Sequence, residues 1–208
     1  MKFSEALISI YESEVLDQFN NAHRLGMALT ELAFENMQRD INYEYSEISK
    51  MHTDLINQTF LHPIIISAYA GFESLLQHLC KWIETNFDFR ESIEPFHRYN
   101  LKEIGRFLRG NDDQVKWSYN LFDQDLERDW NTLTTYHQLR NLIAHFNGNY
   151  QLIPTNKKTQ YQQILKIEHL SQGPNGTIIL EGKLPKIYID FLNSFINKLI
   201  ERIKQYES

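Results

Sequence analysis

The stretch TFLHPIIISAYAGFESLLQHLCKWIETN, residues 59–86, decides the fold class. Its apolar side chains fall at helical spacing and cover nearly the whole circumference, with no alternation of period two. That spacing predicts a helix, and a helix apolar nearly all round is the central, most buried element of its fold. Ser67, Ala68, Ala70 and Gly71 cluster within it, and small side chains let a neighbouring helix approach closely. Glu73 is the lone acid in its middle, and a charge there is costly unless paired.

On the N-terminal side, residues 12–56 are also predicted helical. Val15, Leu16, Phe19, Leu25, Met27, Leu29, Leu32 and Phe34 recur near helical spacing, with one plausible break at Asp40-Ile41-Asn42. On the C-terminal side, residues 87–100 read as a connecting loop containing Pro95. A short helix over 100–109 stops at Gly110, and residues 111–130 form either another helix or two turns. Residues 129–146 make a strong helix, with Trp130, Leu133, Leu139, Leu142 and Ile143 as core positions. Asn147-Gly148 ends it, because glycine takes the left-handed cap conformation cheaply.

The chain then changes character. YQQILKIEHL alternates in part, SQGPNG is a turn cluster and TIILEG alternates again, which predicts a β-hairpin. Helical spacing returns through Ile187, Phe191, Leu192, Phe195, Ile196, Leu199 and Ile203. The expected fold is mainly α, a helical bundle with a β-hairpin inserted before the C-terminal helix. It is read as one domain over 1–208, with 1–55 as an N-terminal helical elaboration and 160–183 as the hairpin insertion.

Composition narrows the function classes. The 208 residues can bury a continuous core without disulfides or structural metal. The single cysteine, Cys80, excludes an internal disulfide and fits a reducing compartment as a buried thiol. No Cys/His spacing resembles a zinc site. Acids interrupt the N-terminal stretch too early for a signal peptide, and the apolar run PIIISAYAGF is too short to span a bilayer. The expectation is a cytoplasmic protein with no membrane partner. The net charge of −6 argues against a broad, sequence-blind nucleic-acid binder. A small, locally positive cleft remains compatible with it, because acids beyond a Debye length are largely screened.

The segment TTYHQLRNLIAHFNGNY, residues 134–150, places Arg140, Asn141 and His145 in an otherwise apolar helix. Asn141 and His145 lie four residues apart, about 40° apart in projection, whereas Arg140 is offset from Asn141 by about 100°. One helix cannot easily aim all three at a single atom. Two copies facing across a symmetric dimer could place both sets around one cleft.

LRNLIAH resembles the signature of the HEPN superfamily, the prokaryotic and eukaryotic nucleotide-binding helical domains, whose nuclease members carry Arg, a polar residue, three residues and then His late in the bundle. The likeness covers residues 60–150 and includes the apolar helix with an embedded acid, AYAGFESLL. It implies a HEPN-like bundle acting as a metal-independent, cofactor-free endoribonuclease. Homodimerisation across the cleft is implied too, as is a role in a toxin–antitoxin or antiviral defence system, with an antitoxin or defence component as a further partner. On that reading RNA is the substrate. His145 exchanges protons with the ribose 2′-hydroxyl or the leaving 5′-oxygen, since histidine ordinarily titrates near neutrality. Arg140 offers its donor fork to the scissile phosphate, and Asn141 bonds the phosphate or orients the imidazole.

Each residue also has an ordinary reading. Arg140 can be a salt-bridge residue, His145 can favour the helix C-terminal dipole, and Asn141 can be structural. Glu73 anchors Arg140 or pairs with another cation. Tyr136 lines the cleft or packs in the core, and His137 lies on the solvated face. Some relatives carry a tyrosine two residues after the histidine, used to bind a nucleotidyltransferase antitoxin; Asn147 stands there, so that partner is not inferred. Lys157-Lys158 either feed an RNA strand toward the cleft or sit in a solvated loop. A non-catalytic HEPN-like dimer that binds RNA, a nucleotide or protein is the alternative, and an unrelated helical interaction protein is a third reading.

Overall fold

The computed structural model describes residues 5, 8–9, 11–16, 20–21, 24, 28, 57–86, 100–109, 121–173 and 175–207. Most of the helix expected over 12–56, the loop around Pro95 and residues 110–120 lie outside the described residues. Of those described, 80% are helical, and a small antiparallel hairpin precedes the C-terminal helix.

The elements are α1 (His62–Asn86), α2 (Leu101–Leu108), α3 (Gln124–Phe146), a single turn α4 (Lys158–Tyr161), β1 (Leu170–Gln172), β2 (Ile178–Leu180) and α5 (Leu184–Glu207). A widened π-type turn, Asn57–Leu61, leads into α1. Pro63, two residues past its end, has no N–H to return to the preceding turn, a break in the hydrogen-bond ladder that favours such widening. Contacts within the chain group into two units: Met1–Gln18, Ala70–Thr134 and Phe191–Ser208 in the first, Phe19–Tyr69 and Thr135–Asp190 in the second.

The first unit packs aromatic side chains on one another. Phe72 meets Phe195 edge-on at 5.8 Å, and Trp130 lies tilted to Phe195 at 6.0 Å and edge-on to Phe122 at 5.4 Å. Cys80 is buried and free. Asn100 caps α2 in a reciprocal capping box with Glu103. Asp123 caps α3 by accepting the Leu126 N–H at 2.9 Å, so α3 begins earlier than the expected 129. Asp125 and Glu127 then sit in its first turn, where the helix dipole favours acids. Arg109 clamps Glu127 with two hydrogen bonds, 2.6 and 2.8 Å, while its guanidinium lies 4.4 Å over the Phe122 ring. That clamp holds the Glu127 carboxyl below the usual carboxylate range.

The second unit buries Ile64, Ile65, Ala68 and Tyr69 of α1, Leu139, Leu142 and Ile143 of α3, and Leu184, Tyr188 and Ile189 of α5. The hairpin pairs Leu170 with Leu180, Ser171 with Ile179 and Gln172 with Ile178. Its strands are shorter than expected. Residues 158–166, which take in the first six of the partly alternating YQQILKIEHL, wind as α4 and a 3-10 turn, burying Tyr161 and Ile164 at helical spacing.

By length and composition Asn57–Cys80 would suffice to cross a bilayer, which the run PIIISAYAGF alone does not. Here Ile64, Ile65, Phe72, Leu75 and Leu76 are buried against protein, and only the narrow stripe Pro63, Ser67 and Ala70 is exposed along that stretch of α1. On α5 the expected face is buried except for Ile187, which is 39% exposed, and Phe191, which is half-buried.

Candidate functional site

The last turns of α3 carry Arg140, Asn141 and His145, and the packing around them explains why that helix end is fixed. Asn147 and Gly148 both take left-handed backbone, φ 49° and 67°. The Gly148 N–H reaches back to the Leu142 carbonyl at 3.1 Å, closing the helix and satisfying an orphan carbonyl. The hairpin then docks on the exit. The Ile178 N–H donates to the Gly148 carbonyl at 2.8 Å, and the Tyr150 N–H to the Gly176 carbonyl at 2.9 Å. Phe146 packs edge-on against Tyr161 of α4 at 6.1 Å. His62 closes the remaining side: a β-carbon placed on Gly148 would stand 2.6 Å from its ring. Only glycine fits there.

His62 is 3% exposed, and burial pushes its pKa down to about 4, opposed by a backbone hydrogen bond at Ile178. Among the described residues nothing reaches its buried Nε2, and the lowered pKa goes with a neutral ring.

A continuous hydrogen-bond chain crosses the site. Arg140 donates through Nη1 to Asn141 Oδ1 at 2.9 Å. A guanidinium only donates, so the amide oxygen faces Arg140 and the amide nitrogen faces the other way. That nitrogen lies 2.9 Å from His137 Nε2, which must therefore accept. His137 carries its proton on Nδ1 and donates it to the Tyr69 hydroxyl oxygen, again at 2.9 Å. Burial, and then the charge of Arg140, lowers the His137 pKa, in keeping with a neutral ring. The Arg140 guanidinium lies 5.9 Å over the Tyr69 ring.

The placement of the expected residues is mixed. Arg140 and Asn141 are brought together despite their angular offset, because the arginine is long enough to span it. Asn141 does orient an imidazole, but that of His137. Side chains on a helix lean toward its N-terminus, so an amide at 141 reaches back one turn more readily than forward to His145. His145 is exposed, in the last turn of α3, and no described hydrogen bond joins it to the chain. Glu73 is half-buried on α1 and belongs to the first unit. Tyr136 is buried, its ring edge-on to Tyr188 at 4.7 Å, and burial raises its pKa.

His137 is the residue that sequence reasoning misplaced. Expected on the solvated face, it is half-buried and bonded on both ring nitrogens. Its i, i+4 spacing to Asn141 and i, i+3 spacing to Arg140 were the available signal. A second signal is charge. Residues 130–167 contain Arg140, Lys157, Lys158 and Lys166 and not one Asp or Glu, in a chain of net charge −6. Lys157 and Lys166 are exposed and Lys158 is half-buried, with the α4 turn they flank seated on Phe146.

No group of three or more His, Cys, Asp or Glu that could hold a metal ion occurs among the described residues. Comparison of the chain with known protein families, with characterised proteins and with solved structures finds no match in any of the three.

Proposed function

We propose that the protein is an endoribonuclease of HEPN type, acting in the cytoplasm as a homodimer whose two copies of α3 line one cleft. The observation that carries this reading is the ordered Arg140–Asn141 pair followed, one turn on, by an exposed His145 within an acid-free stretch. A fixed guanidinium and a solvent-accessible imidazole are the groups that metal-independent phosphodiester cleavage needs.

The chemistry follows from those groups. His145 of one copy takes the proton of a ribose 2′-hydroxyl. The 2′-oxygen attacks the adjacent phosphorus, and the bond from phosphorus to the 5′-oxygen breaks. His145 of the other copy, protonated, supplies the proton to that leaving oxygen. Arg140 donates to the phosphoryl oxygens as charge gathers there, an interaction stronger in the transition state than in the bound substrate. The products are a 2′,3′-cyclic phosphate and a 5′-hydroxyl. A toxin–antitoxin or antiviral role, with an antitoxin or defence component as regulator, belongs to the same proposal.

That no described hydrogen bond joins His145 to the Arg140–Asn141–His137–Tyr69 chain favours a second reading, a dimer that binds RNA without cutting it. Incubating purified protein with a mixed RNA pool in EDTA separates the two. Cleavage by wild type, abolished in folded Arg140→Ala and His145→Ala, supports the nuclease. Retention of RNA by all three, with no cleavage, supports the binding module.

A further inference from the structure

The hydrogen-bond chain has a direction, and that direction gives His137 a role of its own. Asn141 has two faces, an acceptor and a donor, and rotation of its amide by half a turn exchanges them. Only one orientation lets the oxygen receive Arg140. What holds it from the other side is the lone pair on His137 Nε2, which accepts from the amide nitrogen. The lone pair in turn exists because the ring proton sits on Nδ1, where the Tyr69 hydroxyl oxygen receives it. Tyr69 is fully buried on α1, so this end of the chain is anchored in the core of the unit.

We infer that His137 is a positioning residue: its Nδ1–H tautomer, with the Tyr69 hydroxyl oxygen as acceptor, locks the Asn141 amide with its oxygen toward Arg140 and so fixes where the guanidinium points. His137 touches no reacting atom. It acts through Asn141, as the outer partners of a catalytic group commonly do. Were the proton on Nε2, two donors would face each other across the gap to Asn141. The amide would turn, present its NH2 group to a cationic guanidinium, and release Arg140. The role of the aimed Arg140 in RNA cleavage rests on the proposed function; the tautomer and the amide orientation do not.

Two replacements separate the halves of the imidazole. In His137→Gln the side-chain oxygen falls near the place of Nε2 and can still accept from Asn141. In His137→Asn the side chain reaches only the place of Nδ1 and leaves Asn141 without its acceptor. The first measurement is the nitrogen NMR spectrum of the imidazole in the wild-type protein at pH 7.5, which distinguishes a protonated from an unprotonated ring nitrogen. We expect Nδ1 protonated and Nε2 bare. The second is RNA cleavage: His137→Gln stays within about threefold of wild type, whereas His137→Asn falls on the order of tenfold, in kcat more than in KM, as expected for one lost hydrogen bond. A proton on Nε2, or equal activity of folded Gln and Asn variants, overturns the inference. If wild type cleaves no RNA, the proposed function fails, and the tautomer measurement still decides this point.

Discussion

Acidification from pH 7.5 to 5 should remove about 2 kcal/mol of folding stability through His62 alone. In the folded chain burial lowers its pKa from the ordinary 6.5 to about 4. Below pH 6.5 the unfolded chain takes up a proton that the folded chain refuses. The contribution of His62 is therefore complete above pH 6.5 and is lost as the pH falls toward 4. Fully expressed, a depression of that size amounts to about 3 kcal/mol, of which linkage places about 2 kcal/mol between pH 7.5 and 5. Asp123 and Glu127, whose carboxyls are held low by their partners, lose their contributions only nearer the ordinary carboxylate range, so pH 5 isolates the histidine effect. The assay is urea unfolding followed by tryptophan fluorescence at both pH values, for wild type and His62→Asn. Asparagine retains a side-chain amide that can donate to the Ile178 backbone and cannot titrate. His137, lowered in the same direction, contributes equally to both proteins and cancels. The variant should lose about 2 kcal/mol less than wild type over the interval. Equal losses in the two proteins would refute the burial argument for His62.

Gly148→Ala should destabilise by about 2–4 kcal/mol, combining the left-handed backbone cost with overpacking against the buried His62 ring. Gly173→Ala is its control: an added β-carbon there meets nothing closer than 3.4 Å, so a shift under about 0.5 kcal/mol in urea unfolding is expected. Replacing Lys157, Lys158 and Lys166 together by alanine should lower the salt dependence of single-stranded RNA binding, the slope of log K against log salt shrinking by about 2; the check is a filter-binding series in rising salt.

Helix α1 was legible because apolar residues at helical spacing have few other resting places, and its buried face follows that spacing closely. The core positions of α3 were legible for the same reason, and the hairpin ahead of α5 from its turn cluster and the alternation of TIILEG. Residues 158–166 were not: Tyr161 and Ile164 fit a partly alternating strand and a helical turn alike, and packing of Tyr161 on Phe146 decides for the turn. The start of α3 depended on a single cap, Asp123, whose side-chain bond cannot be told from spacing. At the site, the motif located Arg140 and Asn141 on one helix. It could not reveal that His137 is half-buried with Tyr69 on its other ring nitrogen, because Tyr69 is far away in sequence. The acid-free run from 130 to 167 was readable all along. The overall charge of −6 concealed it by averaging.

The most direct test of the central claim is the chemistry of the cut ends. RNA incubated with the wild-type protein in EDTA should yield fragments ending in 2′,3′-cyclic phosphate and beginning with 5′-hydroxyl, and RNA methylated at every 2′-oxygen should remain intact. Fragments with 5′-phosphate and 3′-hydroxyl ends, or equal cleavage of the methylated RNA, would contradict the account.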